Sequence, residues 1–495
     1  MKKFIITSLM ISSLAAIAAD NLDRNALHSE GTINLHDEIE ANLERIGINS
    51  VDVEKLFSEK HPGTDYDHVK LEANFTEAVE ITLDDILAKA LENNLNLNIS
   101  RLKSEEAKWK FWNKVGDMLP DLSLGAGAQN QDGTFYLNSN FQGKVNQTIS
   151  TANFKINYRV FDGGTTSFLA WSEKFYREAT KAQEKNVYNK VILETIDFYL
   201  NLVKNQVSLA TKLKAFERSK ANLDLVTKFV EAGNGTKYDQ MQAEANLAKA
   251  QQQLIETEAD YRISQLELAE HLNIPLETTM KIKENKLSTF SYIDEDLDIK
   301  NFVSTAVDNN PEIEALLKTR KGAVKEGLST VGDFLPKVDL YYNMAGTGEK
   351  FNDLYGVHTL GFQAIYNIGD GVGLTAASNA LKSNATVDRA RLEYDKQVLT
   401  IQKNLRTSFI NFQKSKALVH ANNKQYLAAK EALRLSKLRY ENGLEVFANL
   451  LQKESELTNS ELDLISSIAN YNLSQVQIAY DMGTITATGI LNSRL

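Results

Sequence analysis

The chain contains no cysteine. This excludes disulfides, thiolate metal sites, cysteine nucleophiles and a lipid-bearing N-terminal cysteine. Only five of its 495 residues are proline, at 62, 120, 275, 311 and 336. Aromatics make up 8% and apolar residues 43%, with a mean hydropathy of −0.32. Beyond the N-terminus no stretch stays apolar for about 18 residues, so the chain is not a bundle of transmembrane helices, and any insertion into a membrane needs another structure. Bases are outnumbered, 55 against 65 acids, and form no cluster, which argues against nucleic acid as a partner. Sequences of the H-E-x-x-H, G-x-S-x-G and P-loop types are missing, and the glycines at Gly163-Gly164 and Gly371 to Gly373 stand without the rest of a phosphate-cradling pattern. Nothing signals an enzyme, a cofactor or a resident metal.

What is present begins with an address. Met1-Lys2-Lys3, the apolar run Phe4 to Leu14 and Ala16-Ile17-Ala18 read as a secretory signal over 1–18. A short anchor helix fits less well, because the run is short and Asp20 follows at once. An extension over 19–80 comes next, and its residues 20–80 hold 15 acids and five bases, so this segment alone accounts for the formal charge of −10. His28, His36, His61 and His68 lie here, but their spacing matches no metal-ligand signature. Leu35, Ile39, Leu43 and Ile46 have helical spacing and predict one short amphipathic helix in an otherwise solvated extension.

The remainder is one unit written twice. Ala90-Leu91-Glu92-Asn93-Asn94 and Val115-Gly116-Asp117-Met118-Leu119-Pro120 return as Ala306-Val307-Asp308-Asn309-Asn310 and Val331-Gly332-Asp333-Phe334-Leu335-Pro336. Tyr158 to Gly164 answers Tyr366 to Val372, and Ala259 to Gln265 answers Ala469 to Gln475. Several words that keep their order and nearly their spacing are a strong sign of duplication. The first repeat spans 81–283, a linker 284–297, the second repeat 298–483 and a tail 484–495.

Residues 165–232 and 374–442 contain neither Gly nor Pro, which predicts two continuous helices of roughly 100 Å at 1.5 Å per residue. After a glycine-centred turn, 236–274 and 444–482 are equally unbroken and predict returning helices of roughly 60 Å, closing helical hairpins over 165–274 and 374–482. Tyr188, Ile192, Ile196, Tyr199, Val203, Val207, Ala210 and Leu213 recur at intervals of three and four, an apolar seam that needs partner helices. Shorter helices are expected over 82–117 and 298–333, with Thr82 and Asp84 as caps, each ended before Pro120 or Pro336.

Beyond each proline the period changes to two. Leu122, Leu124, Ala126 and Ala128, then Phe154, Ile156, Tyr158 and Val160, alternate with polar or glycine positions. The second copy does the same with Val338, Leu340, Tyr342 and Met344, then with Leu360, Phe362, Ala364, Tyr366 and Ile368. The expected β-hairpins cover about 121–161 and 337–368. A soluble sheet packed on one face would show this pattern too. The secretory address, and polar connectors at 130–148 and 346–357 read as surface loops, favour a transmembrane barrel. Four strands cannot close one, so the chain must oligomerise: three copies would supply twelve strands, whereas a dimer at eight would leave no open lumen.

The order of helix, Leu-Pro, β-hairpin, Phe-Asp-Gly-Gly or a variant, long helix, Gly-centred turn and returning helix, given twice after a signal, resembles the TolC-like outer membrane efflux proteins over about 81–490. The resemblance implies a fold that is mainly α with transmembrane β: a homotrimer forming a 12-stranded outer-membrane β-barrel and a periplasmic α-helical barrel. It implies a passive exit duct in the outer membrane, set in outer-membrane lipid, with a long periplasmic extension. That duct would serve a tripartite efflux or type I secretion system, docked through a periplasmic adaptor protein on an inner-membrane pump of ABC, RND or MFS type. The alternative from the residues alone is a structural or adhesive trimeric coiled coil of the cell envelope.

In the family the gate lies where the long hairpins turn, here Phe229 to Gly233 with Asp239, and Tyr440-Glu441-Asn442-Gly443 with Asn449 and Gln452. A Tyr and an Arg of the second turn there tie to an Asp of the first. Tyr440 and Asp239 match two of these partners, while Glu445 stands at the arginine position and would repel Asp239. A Tyr440–Asp239 hydrogen bond on its own would contribute about 1.5–3 kcal/mol. Asn449 and Gln452 match positions that often carry aspartates, and neutral amides select less strongly for cations. The plain alternative is that all five residues, Asp239, Tyr440, Glu445, Asn449 and Gln452, simply cap and pack a helical turn.

Overall fold

The computed structural model describes residues 79–138, 141–278, 280–282, 287–293, 299–366 and 373–492. The signal, nearly all of the acidic extension with its four histidines, and part of the linker lie outside them. Strand β1 (Val79–Ile81) and helices α1 (Leu83–Asn93) and α2 (Leu95–Gly116) lead into β2 (Asp121–Asn138), β3 (Phe141–Phe161), the 67-residue α3 (Thr165–Glu231) and its return α4 (Lys237–His271). After β4 (Met280–Ile282) the second copy runs through α5 (Ile299–Asn309), α6 (Pro311–Ser329), a 3-10 turn (Thr330–Phe334), β5 (Lys337–Gly348) and β6 (Tyr355–Ile365). The 68-residue α7 (Leu374–Glu441), its return α8 (Phe447–Asp481) and a short α9 (Ala487–Asn492) complete it.

Thr82 caps α1 as its side chain predicts, but Asp85 rather than Asp84 closes the capping box: Asp85 N donates to Thr82 Oγ1 at 3.3 Å and Thr82 N to Asp85 Oδ2 at 3.1 Å. The single helices expected over 82–117 and 298–333 are each broken once, at equivalent asparagines. Asn94 is buried, accepts from Leu97 N at 3.2 Å and donates through Nδ2 to His271 O at 2.9 Å. Asn310 accepts from Glu312 N at 2.9 Å and donates to Asp481 O at 3.2 Å. Each asparagine both caps the following helix and satisfies the last carbonyls of the returning one, so the break is a tie between two ends of one repeat.

The repeated words have structural jobs. In Tyr261 to Gln265 and Tyr471 to Gln475 the serine hydroxyl donates back to the tyrosine carbonyl, at 2.7 Å in both. The glutamine reaches extended chain of the connecting segment: Gln265 Nε2 donates to Met280 O, after its helix, at 2.8 Å, and Gln475 Nε2 to Phe290 O, in the segment before the second repeat, at 2.7 Å. Residues 287–293 of the expected linker are thus held against α8, with Leu287, Phe290 and Ile293 buried. The word Phe161-Asp162-Gly163-Gly164 turns the chain from β3 into α3. Asp162 accepts from Gly164 N at 2.9 Å and Thr166 N at 2.8 Å, and Gly164 adopts φ +86°. Gly332, from the other repeated word, lies directly against this turn. A Cβ there would stand 2.0 Å from Thr165 Oγ1 and 2.7 Å from Asp162 O. One word of each copy therefore interlocks with the other, joining repeat to repeat at the level where strand becomes helix.

Above that joint the four long strands form one antiparallel sheet in the order β2-β3-β5-β6. Its register aligns the two faces across both copies. Leu122, Ile156, Tyr342 and Leu360 form one row, and Leu124, Phe154, Met344 and His358 the next on the same face. The opposite face carries Ser123, Lys155, Asn343 and Thr359, then Arg159, Asp339 and Gln363, with Arg159 Nε 3.0 Å from Asp339 Oδ1. The loop expected at 130–148 is largely strand, with pairs such as Asn130↔Thr148 and Thr134↔Lys144 continuing the ladder, while the one expected at 346–357 is strand at both ends, as in Thr347↔Tyr355, and turns over 349–354. Ladder bonds are made by the backbone, so polar side chains do not end them. β2 and β3 reach 18 and 21 residues, against 12 and 11 for β5 and β6. Among the described residues no helix is long and apolar enough to cross a membrane.

Below the joint, α2, α3, α6 and α7 stand side by side in that order, and lower down α3 pairs with α4 and α8 while α7 pairs with α8. Ile192, Ile196, Tyr199, Val203, Val207, Ala210 and Leu213 are buried along α3 as their spacing requires, while Tyr188 is only half-buried. Replacing Gly332 with Val forces a branched side chain into the joint, and overpacking of this kind costs about 1–3 kcal/mol. The helical melting temperature of G332V, followed by circular dichroism, is expected to fall; an unchanged value contradicts the interlock.

Candidate functional site at the helical tip

The two long hairpins reverse through the same motif. α3 ends with Gly233 at φ +77°, where Gly233 N donates to Val230 O at 3.0 Å and Asn234 N to Phe229 O at 2.8 Å. α7 ends with Gly443 at φ +69°, where Gly443 N donates to Tyr440 O and Leu444 N to Arg439 O, both at 2.9 Å. Both are Schellman turns, which place glycine where an L side chain is strained. The starts of the returning helices differ. Thr236 caps α4, with Asp239 N donating to Thr236 Oγ1 at 3.1 Å and Thr236 Oγ1 to Asp239 Oδ2 at 2.6 Å. Val446 at the start of α8 offers no side-chain cap.

Four helices meet just inside these turns. Val226 of α3, Ala243 of α4, and Phe447 and Leu450 of α8 form a buried cluster, against which Leu223, Val230, Leu433 and Tyr440 pack. The ring of Tyr440 lies 6.2 Å from that of Phe229 and 5.5 Å from that of Phe447. Tyr440 is therefore an apolar bridge between the two hairpins. Burial first, and the charge of Asp239 second, push its phenol above the usual range. The two residues are thus electrostatic neighbours, but Asp239 is committed to the Thr236 cap and Tyr440 donates no hydrogen bond to it within the chain. Glu445 is drawn to its own turn, with Oε2 3.7 Å from Arg439 Nε. Asn449 and Gln452 are exposed on the side of α8 away from Phe447 and Leu450. Gln452 Nε2 donates to Glu456 Oε1 at 2.9 Å. The structure thus brings Tyr440 near Asp239 and leaves Glu445, Asn449 and Gln452 as separate features of the second turn.

A polar contact between the hairpins lies further up, and it escaped the reading of the sequence. Asn222 Nδ2 of α3 donates to Glu454 Oε2 at 2.8 Å, and Arg218 Nη2 to Thr458 Oγ1 at 2.9 Å. Glu461 Oε2, one heptad beyond Glu454, is buried without a hydrogen-bond partner. Both glutamates sit in the three-four seam Phe447, Leu450, Glu454, Leu457, Glu461, Leu464, Ile468 of α8, which is the signal that would have found them. Burial raises both carboxyls; Arg218 and Lys437 oppose it at Glu454, and Arg218, Lys214 and Lys430 at Glu461.

A sequence model of the outer membrane efflux protein family matches the chain twice, at residues 86–273 and 302–484, and the chain belongs to that family. It is an exit duct of the outer membrane whose helical part lies on the periplasmic side. Among its relatives, toxin and drug export protein A of Aggregatibacter actinomycetemcomitans is 22% identical over 419 residues, covering 80% of this chain and 84% of that protein. The alkaline protease secretion protein AprF of Pseudomonas aeruginosa is 22% identical over 366 residues, covering 69% and 74%. The CmeC outer membrane channel of Campylobacter jejuni shares the fold at a TM-score of 0.72 and 16% identity, over 96% of this chain and 97% of that one. The outer-membrane channel OprN does so at 0.72 and 19% identity, over 81% and 90%. These are channels and export proteins rather than enzymes.

A carboxyl raised by burial adds stability that is complete below its unfolded value, 4.5 for Glu461, and is lost as pH rises through the folded value. Glu461→Gln removes the charge and keeps the shape. It is expected to raise the melting temperature at pH 7.5 by roughly 1–3 °C and to leave it unchanged at pH 4. A rise of equal size at both pH values would contradict a buried, titrating Glu461.

Proposed function

We propose that three copies of this chain close into one passive conduit, docked through a periplasmic adaptor on an inner-membrane pump of ABC, RND or MFS type. The observation that carries this reading is the four-stranded sheet: one apolar face, one face with Lys155, Arg159, Asn343 and Asp339, and outer edges of β2 and β6 that pair with no described strand. Twelve strands enclose a water-filled lumen where four cannot. The apolar face suits lipid and the polar face suits the lumen.

The edge helices support the same closure. On α2 the buried Leu97 and Ser100 face α3, while Leu95, Ile99, Leu102 and Trp109 form an exposed stripe on the opposite side. On α7, at the other edge, Leu374, Leu381, Leu392, Leu399 and Ile410 are exposed, spaced by seven and eleven, which keeps them on one side of the helix. A soluble coiled coil or adhesin has no use for the two-faced sheet. The names of the relatives, export of toxin and drugs and secretion of a protease, support cargo ranging from small molecules to proteins.

The tip is the gate in this reading. Its closed form is held by the apolar cluster around Phe447 and Tyr440, with Asp239 and Glu445 as charges beside it and Asn449 and Gln452 as neutral amides at the entrance. Removing the ring at Phe447 takes the packing from Tyr440, Val226 and Ala243 and costs about 3–5 kcal/mol. Single-channel conductance in a planar bilayer is expected to rise several-fold for Phe447→Ala and to stay near wild type for Tyr440→Phe, which keeps the ring. The reverse pattern would show that a tyrosine hydroxyl, not the cluster, closes the tip.

A further inference from the structure

The two asparagine ties of the fold are equivalent by duplication, but the residue at the centre of each is chemically different. Counting on from the repeated words Ala259 to Gln265 and Ala469 to Gln475, His271 at the end of α4 corresponds to Asp481 at the end of α8. The turns that follow agree with this alignment, because Asn273 and Gly483 hold the same place at φ +50° and +70°. Both side chains, His271 and Asp481, are buried. A histidine becomes charged by gaining a proton and an aspartic acid by losing one, so the same position carries opposite titrations in the two repeats.

In the first repeat the contacts fit a neutral ring. Thr195 Oγ1 of α3 donates its one proton to Val191 O at 2.6 Å, and so accepts from His271 Nε2 at 2.9 Å. Nδ1 is then the bare nitrogen, 3.5 Å from Asn94 Nδ2. The Asn94 amide cannot turn over to meet a second ring proton, since its Oδ1 accepts from Leu97 N at 3.2 Å and its Nδ2 donates to His271 O at 2.9 Å. An imidazolium would therefore set two donors face to face in a buried site. Glu194 of α3 is the charged group that acts on the ring from the surrounding helices, and it is itself 3.4 Å from Lys190 Nζ. Burial outweighs Glu194 and lowers the imidazole below its usual 6.5.

In the second repeat the contacts fit a neutral acid. Ser408 Oγ of α7 donates to Asp481 Oδ2 at 2.5 Å and Gln477 Nε2 to Oδ1 at 3.0 Å. A hydroxyl both donates and accepts, so Ser408 can reverse its bond when the carboxyl is protonated, as Asn94 cannot. The adjoining Tyr480 is reached by Glu312 of α6 and Glu194 of α3 as well as by Asp481, and burial together with these charges pushes its phenol up to about 12. The charges that act around this tie are therefore acids. Burial raises the Asp481 carboxyl above its usual 3.8, against the bonds from Ser408 and Gln477. The end of a helix favours a cation and disfavours an anion, so burial acts against that field at His271 and with it at Asp481.

We infer that the two ties answer acid in opposite senses: acidification loosens the Asn94–His271 tie of the first repeat and tightens the Asn310–Asp481 tie of the second. Stability from a neutral, buried His271 is complete above 6.5 and is lost as pH falls through the lower folded value. Stability from a neutral, buried Asp481 is complete below 3.8 and is lost as pH rises through the higher folded value. Each tie holds the break between two short helices to the end of a returning helix, so a fall in pH shifts firmness from the α3–α4 hairpin to the α7–α8 hairpin. Both ties lie within one chain, and the inference stands apart from the trimeric reading.

Hydrogen exchange of the full-length protein in detergent, read by mass spectrometry and corrected for the intrinsic pH dependence of exchange, tests this directly. Between pH 7.5 and pH 5, segments 90–98 and 268–274 are expected to lose protection on the order of threefold to tenfold, and segments 306–314 and 478–484 to gain as much. His271→Gln, which stays neutral, is expected to flatten the first response and leave the second, and Asp481→Asn to do the reverse. Should one variant fail to fold, the other tests its own tie beside the wild type. Protection that moves in the same direction at both ties, or a response that survives at the tie whose residue has been replaced, would overturn the inference.

Discussion

A β-strand facing lipid must find a partner for every backbone N–H and C=O, because the hydrocarbon offers none. The sheet β2-β3-β5-β6 meets that demand inside, and at its two outer edges it pairs with no described strand. This one unmet requirement organises the rest. In the proposed trimer it makes a single chain an incomplete wall, and the helices below the sheet stand in the same side-by-side order as the strands above them. It also leaves apolar stripes on the outermost helices, α2 and α7, where a neighbour would continue the wall.

The duplication solves the closure with little new information. One repeat carries an interlocking turn at each side, Val-Gly-Asp-x-Leu-Pro on one and the helix start after the second strand on the other. Copying the repeat gives a chain whose inner joint is polar, through Thr165 and Ser172, and whose outer positions are apolar, through Leu374 and Leu381. The asparagines Asn94 and Asn310 and the glutamines Gln265 and Gln475 then fix each repeat internally by binding backbone across it.

Much of this was legible in the residues. Gly and Pro are so sparse that the ends of the long helices follow from where the breakers stand, and the period-two pattern after Pro120 and Pro336 marks strands on sight. The breaks at Asn94 and Asn310 were not legible, because an asparagine inside an apolar period looks like a surface residue until its tertiary partner is known. The length of β2 and β3 was hidden for a related reason: strand ladders are backbone structures, and their polar half carries no apolar alternation. At the tip, the words named the turns and Tyr440 but not what Tyr440 does. Its ring packs on Phe229 and Phe447, while Asp239, the expected acceptor, serves a helix cap that a Thr three residues earlier already announced. The Asn222–Glu454 and Arg218–Thr458 contacts and the buried Glu461 were missed because charged residues in a seam read as solvent-facing until two helices are seen to cover them.

The central claim is that the conducting particle contains several identical chains, each contributing four strands to a common wall. The most direct measurement is the native mass of the purified outer-membrane protein in detergent, taken on the same sample that conducts in a planar bilayer. This account predicts a particle of three chains with open-lumen conductance, and a single-chain mass in a conducting sample would contradict it.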